Sequence, residues 1–251
     1  MSRPAPAWRS VSALAAMELR LTARRGENIL VTLVIPVAVL LFFAGTSIVP
    51  GIGGRPVAFL LPGAIALAII ASGLVSLGIA TAYERSYGVL KRLGGAPLPR
   101  WGLTAAKIVA VLALEIVQVA VLIAVAAVAL GWQPGAGWSP VLLVVAIGLG
   151  TLAFAGLGLL LAGTLRAEAT LALANGLFLV FLMLGGIVLP VDNLPALLQP
   201  IAAVLPATAL SDLLRIALGS GPNLDVARPV ALLSAWAAVT TALAARTFRW
   251  D

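Results

Sequence analysis

The sequence predicts an all-α membrane protein that crosses the bilayer with six helices, and three observations carry that prediction. Of the 251 residues, 62% are hydrophobic and only 10% are charged, against roughly 25% charged in soluble domains. A soluble chain of this size cannot hide so much apolar surface, whereas a bilayer is itself an apolar solvent. The apolar residues fall into six runs, each near or above the roughly 20 residues that cross hydrocarbon as a helix. The basic residues gather in alternate connections, which is the bias that orients membrane helices. One transmembrane domain over residues 1–251 accounts for the whole pattern.

Residues 1–26 are too polar for the membrane core. From Ser12 onward Leu14, Met17 and Leu21 recur at helical spacing, while Glu18, Arg20, Arg24 and Arg25 occupy other angles. A modest apolar stripe beside a basic face suits a helix lying in the interface, with a solvated leader as the alternative. A signal peptide is not expected, because roughly 25 largely polar residues precede the first apolar run.

The first span is 29–48, uncharged and containing Pro36, which membrane helices tolerate. A Gly- and Pro-rich turn leads to the second span, 57–81, whose Gly63, Gly73 and Gly78 let a neighbouring helix approach closely. The pattern then breaks at Glu84, Arg85, Lys91, Arg92 and Arg100, with Gly94, Gly95, Pro97 and Pro99 between them. The third span is 103–130. An uncharged turn follows with Trp132 and Trp138, placed as interfacial aromatics. The fourth span is 140–165, and Arg166 and Glu168 mark a short loop before the fifth, 170–189.

Segment 190–225 differs. Pro190, Pro195, Pro200, Pro206, Gly219, Gly221 and Pro222 interrupt it, and it carries Asp192, Asp212, Arg215 and Asp225. Its apolar pieces are too short for hydrocarbon about 30 Å thick. It reads as a re-entrant helical hairpin that dips in from one side and returns. The sixth span is 226–245, ahead of a basic tail. With the N-terminus inside, 13 of the 16 basic residues lie on cytoplasmic segments, and only Arg55, Arg215 and Arg228 lie outside. Both termini are then cytoplasmic, and the hairpin is extracytoplasmic.

The chain has no Cys and no His, which removes the usual ligands for zinc, haem and iron–sulfur centres and the commonest general base. No metal site is expected. A phosphate-binding loop needs Gly-x-x-x-x-Gly-Lys-Ser/Thr, and neither Lys91 nor Lys107 follows a glycine. ATP is therefore not expected to bind this chain. The net charge of +7 sits in loops beside apolar runs, so it reads as topology and lipid contact, not as a nucleic-acid surface.

Glu115 is the one acid well inside an expected span, with Gln118 three residues on. An ionisable group there is a functional-site hypothesis; the plainer alternative is a pairing with a polar side chain of a neighbouring helix. The segment 84–100 reads as a short basic helix on the cytoplasmic side. A soluble partner can grip such a helix and move both flanking spans, although charge alone does not separate this from a topology-setting loop.

Here the chain resembles the type-2 permeases of ATP-binding-cassette exporters. The loop between their second and third spans carries an acidic–basic pair, a Gly, a basic Leu-rich stretch and a Pro-Leu pair. In this sequence these are Glu84–Arg85, Gly88, Leu90–Lys91–Arg92–Leu93 and Pro97–Leu98. The family often has Thr where Val89 and Ala96 stand here. A second match covers Gly185–Gly186, Pro190, Leu194–Pro195, Leu205–Pro206 and Leu213–Leu214–Arg215.

The resemblance implies that Glu84, Arg85, Gly88, Lys91, Arg92, Leu93, Pro97 and Arg100 form a coupling helix docking on a separate cassette ATPase, which would hold the ATP and Mg²⁺. It implies a second permease copy, identical or related, and a place in the bacterial inner membrane. It implies a substrate path along the first, second and fifth spans, with Phe42, Phe43, Asn175, Phe178 and Phe181 as candidate lining residues. It also implies a hairpin at Pro190, Pro195, Pro206 and Arg215. The expected function is export of a hydrophobic or amphiphilic substrate such as a drug, lipid or polysaccharide-type molecule. The alternatives are a channel or secondary transporter not driven by ATP, for which polar residues in the spans are few, and a structural membrane subunit.

Overall fold

The computed structural model describes residues 7–24, 26–45, 56–90, 100–221 and 225–247, with side chains for 11–22, 32–45, 56–90, 101–221 and 225–247. Among the described residues every regular element is helical. In chain order these are α1 (Ala7–Arg24), α2 (Gly26–Gly45), α3 (Pro56–Ser86), α4 (Arg100–Leu130), α5 (Pro140–Thr164) and α6 (Ala167–Leu184). A 3₁₀ turn at Val191–Asn193 precedes α7 (Gln199–Ala202), α8 (Pro206–Ala217) and α9 (Ala227–Thr247).

Five of these, α3, α4, α5, α6 and α9, are long and apolar enough to cross a membrane. The remaining expected span, 29–48, overlaps α2, of which Thr32–Gly45 is a shorter apolar helix. Residues 46–48 and the side chains of 29–31 lie outside the described set.

Helix α3 is the centre of the bundle. Of its most apolar window 83% is buried, whereas α4, α6 and α9 bury 22–28% of theirs and present apolar side chains outward. That inversion is what lipid permits, since an outward Val128 at 89% exposure or Val141 at 72% costs nothing in hydrocarbon. At 31 residues, α3 is about 46 Å long and overshoots the hydrocarbon by several turns. Its last turns therefore carry Glu84 and Arg85, and it ends at Ser86, just before Gly88, whose φ of 69° is open to glycine at low cost.

Two close helix approaches rest on glycine. A Cβ at Gly73 would lie 2.9 Å from the backbone nitrogen of Ala155, and one at Gly78 would lie 3.1 Å from Cα of Gly158. Both fall on the α3–α5 contact, the small-residue packing that replaces hydrophobic drive between helices in lipid. Gly73→Leu is expected to destabilise the protein by about 1–3 kcal/mol, read as a lower melting temperature in detergent. An unchanged melting temperature would mean that α3 and α5 are not held this closely.

Around Gly73 the helix loosens into a π-helical stretch, Ala71–Ser76. Such turns are uncommon and recur at functional sites. Here it aims Ser72 at α4, where its hydroxyl donates to Oε1 of Gln118 at 2.9 Å.

The expected hairpin segment folds as the 3₁₀ turn, α7 and α8. Helix α8 is sunk into the bundle, with Leu210, Leu213 and Leu214 fully buried. The fifth span ends earlier than the sequence suggested, at Leu184, because Gly186 adopts φ 66° and turns the chain. Trp132, expected at the membrane interface, is packed against the protein at 6% exposure. The turn carrying it folds inward: the Gly135 N–H donates to Leu218 O at 3.1 Å and the Ser139 N–H to Ala217 O at 2.8 Å, docking the turn on the end of α8. Trp138 stays 39% exposed.

Candidate functional site

A groove of about 480 Å³ runs between α2, α3 and α6. Apolar side chains make most of its wall, among them Ile35 and Pro36 of α2, Val75 and Ile79 of α3, and Phe178 of α6. Polar atoms come from Thr32, Ser76 and Asn175, and the α3 C-terminal end adds Tyr83, Glu84 and Tyr87. The π-helical stretch supplies Ala71, Val75 and Ser76, so the irregular part of α3 faces the cavity.

The five candidate path residues separate. Asn175 and Phe178 line this groove. Asn175 is exposed, not buried, and its amide donates to Leu171 O of its own helix at 2.9 Å. Phe42 and Phe43 pair edge to face at 5.2 Å near the far end of α2, away from the groove wall. Phe181 is 4% exposed and packs edge to face on Phe154 at 5.6 Å; it is a core residue.

Behind the groove lies a three-charge cluster. Lys107, 2% exposed, reaches Oε1 of Glu18 on α1 at 2.9 Å and Oε2 of Glu84 on α3 at 2.6 Å. One ammonium thus joins the leader helix, the end of α3 and the start of α4. Glu84 lines both the groove and the small cavity beside Lys107. The apolar stripe of α1 supports the joint: Leu14 and Ala15 are buried against Leu90, Leu103 and Ala106, while Met17 and Leu21 are each 42% exposed.

Of the expected coupling residues, Glu84 and Arg85 sit in the last turn of α3. Glu84 faces inward to Lys107, and the Arg85 guanidinium donates to Leu165 O at the α5–α6 junction. Both tie the end of α3 to neighbouring helices. Lys91, Arg92, Leu93 and Pro97 lie outside the described residues, as does the side chain of Arg100. The roles of Glu18 and Lys107 were not legible in the sequence, since Lys107 and Glu18 are 89 positions apart and only packing brings them together.

Deeper in the bundle, Gln118 accepts from Ser72 and donates to Thr32 Oγ1 at 3.0 Å, joining α2, α3 and α4. Glu115 is fully buried and pairs with the Thr151 hydroxyl of α5. Its other oxygen, Oε1, has no hydrogen-bond partner among the described residues.

At the opposite end a second cavity of about 720 Å³ is bounded by the 3₁₀ turn, α7, α8 and α9. Arg215, 7% exposed, anchors it. Its guanidinium donates to Gly186 O and, at 3.0 Å, to Asp212, and it lies 4.2 Å over the Phe59 ring. Burial pushes the Asp212 carboxyl above its usual value, and the Arg215 charge opposes that shift. Pro190 borders this cavity, Pro206 opens α8 within its first turn, and Pro195 stands in the link between the 3₁₀ turn and α7. No group of three or more Asp or Glu side chains gathers among the described residues.

A bundle of long apolar helices, glycine-tight at its centre and grooved along one side, is a multi-pass membrane protein. Residues 9–218 match the ABC-2 type transporter family. Over 168 residues the chain is 29% identical to the linearmycin resistance permease protein LnrN of Bacillus subtilis (strain 168), a stretch covering 66% of this chain and 43% of that protein's length. The chain belongs to the ABC-2 type transporter family.

Proposed function

We propose that this chain is the permease subunit of an exporter driven by a separate cassette ATPase, and that it moves a hydrophobic or amphiphilic substrate out of the cytoplasm. The observation that carries the reading is the apolar groove between α2, α3 and α6, whose one end abuts the charged joint of α1, α3 and α4. The resistance permease named above, a protein to which this chain is similar, lends support to efflux. The whole chain acts as one membrane domain with six spans, α2 completing the set. Both termini face the cytoplasm of a bacterial cell, and the chain sits in the inner membrane. Helix α1 lies at the membrane interface, and α7–α8 form the extracytoplasmic hairpin.

In this reading a second permease copy covers the groove side, where α2 and α6 present apolar side chains such as Phe42, Leu173 and Leu179. ATP and Mg²⁺ are held by the ATPase. Closure of the ATPase pair pushes the 84–100 loop. Because Glu84 and Arg85 are tied to α1, α4 and the α5–α6 junction, the push reaches these helices together. The groove then opens outward.

The test is co-purification of the tagged chain with a cassette ATPase, with ATP hydrolysis measured in the eluate. The wild type is expected to bring down an active ATPase. A Lys91→Glu, Arg92→Glu double variant is expected to lower its yield by about tenfold or more, since charge reversal at an interface costs that much. Failure of the wild type to retain any ATPase would remove the main support for this reading.

A further inference from the structure

We propose that the groove selects cationic amphiphiles: an apolar body along α2, α3 and α6, and a positive head held by Glu84 beside the rings of Tyr83 and Tyr87. This rests on the groove being the substrate path, and adds the charge of the substrate.

Three observations point to a cation. First, Glu84 is the only charged side chain on the groove wall among the described residues. Arg85, next to it, is turned away to the carbonyl of Leu165. Second, the cluster behind Glu84 holds two carboxylates on one ammonium, so Glu18, Lys107 and Glu84 together keep one net negative charge. Only Oε2 of Glu84 meets Lys107. The side chain retains 16% of its surface and takes part in the groove wall, where a second cation would meet it in a partly desolvated place that strengthens the attraction.

Third, Tyr83 and Tyr87 line the same end with ring centroids 6.0 Å apart. Tyr87 is 73% exposed, so much of its ring face is open to a ligand. Ring faces attract cations and leave anions unattended. The rest of the wall is apolar enough to take a hydrocarbon or aromatic body. An anion entering this end would meet the carboxylate and two electron-rich faces, while the Lys107 ammonium lies behind the carboxylate and no cation stands on the groove wall among the described residues.

The experiment compares two ions of one shape and opposite charge. Tritiated tetraphenylphosphonium and tetraphenylborate are equilibrated with the full chain in lipid nanodiscs, and empty nanodiscs supply the blank. The expected result is tetraphenylphosphonium binding about tenfold tighter or more than tetraphenylborate. Glu84→Gln, which keeps the shape and removes the charge, is expected to cost about tenfold in cation affinity.

Because Glu84 also holds Lys107, a second variant is needed that the fold does not feel. Tyr87→Ala is expected to cost about threefold for the cation and nothing for the anion, and Tyr87→Phe to restore wild-type binding, since the ring face is what binds. Val75→Trp, which fills the groove, is expected to abolish binding. Equal affinity for the two ions, both blocked by Val75→Trp, would overturn the charge selection while leaving the groove as the path. Binding of neither ion, or binding indifferent to Val75→Trp, would overturn the groove as a ligand site and with it the reading on which the selection rests.

Discussion

Lys107→Met is expected to cost about 3 kcal/mol of stability. The substitution removes the ammonium that Glu18 and Glu84 share and leaves two carboxylates, 12% and 16% exposed, facing each other. Like charges at that distance repel, and neither has enough water to screen the other. The loss is specific in its sign. A triple variant, Glu18→Gln with Lys107→Met and Glu84→Gln, replaces the three charges by neutral groups and is expected to recover most of the stability, because breaking a buried pair costs more than deleting it whole. Chemical unfolding in mixed micelles measures both. A cost below about 0.5 kcal/mol would mark an exposed, solvent-screened pair and contradict the burial of Lys107. In the proposed exporter the same variant is expected to retain the ATPase but to lose stimulation by substrate, because the push on α3 no longer reaches α1 and α4.

Arg215→Met carries the second large effect, about 2–4 kcal/mol. Methionine keeps the apolar stem of the side chain but not the guanidinium, so the cation over the Phe59 ring goes as well. What is lost is the pair of donations to Gly186 O and Asp212. The first pins the turn after α6, whose left-handed Gly186 has its carbonyl satisfied by this guanidinium. The second leaves Asp212, 33% exposed, beside Asp192 with less positive charge near it. Limited proteolysis of segment 190–225 is expected to speed up before global unfolding does, since the hairpin is the part this residue holds. Asp212→Asn in the same background is expected to return part of the lost stability, because the stranded carboxylate is then gone. If Arg215→Met melts with the wild type and resists protease equally, the buried guanidinium is not what secures α8.

Much of the fold is legible in the sequence for one reason: lipid imposes a length and a composition on each span. The ranges 57–81, 103–130, 140–165 and 226–245 match α3, α4, α5 and α9 to within a few residues, mainly because charged or Gly/Pro-rich stretches bound them. The short, Pro-broken pieces of 190–225 are likewise set by residue type. The ends of elements were less legible. The sequence carries α3 only to Thr81, because a charged pair looks like a loop; in the structure Glu84 and Arg85 are helical because partners on other helices receive them. The sequence carries the fifth span past Gly185–Gly186, because two glycines do not announce a left-handed turn unless something holds it, and Arg215 holds it here.

The functional residues divide the same way. Hydropathy locates Glu115 and Gln118 inside a span, because water-seeking groups stand out against an apolar run. It says nothing of which helix supplies Thr151, Thr32 or Ser72. Phe181 and Phe178 lie three residues apart on one helix and look alike in sequence, yet one packs on Phe154 and the other faces the groove. A helix in lipid is apolar on every side, so its sequence lacks the polar face that tells inside from outside in a soluble protein. The sequence by itself therefore determined that this protein spans a membrane, roughly where, and without Cys or His chemistry. Only the tertiary structure decided which faces meet, that Lys107 joins three helices, and that the groove opens beside Glu84, because in a uniformly apolar solvent those choices are made by side-chain shape, close glycine contacts and a few buried hydrogen bonds between residues far apart in the chain.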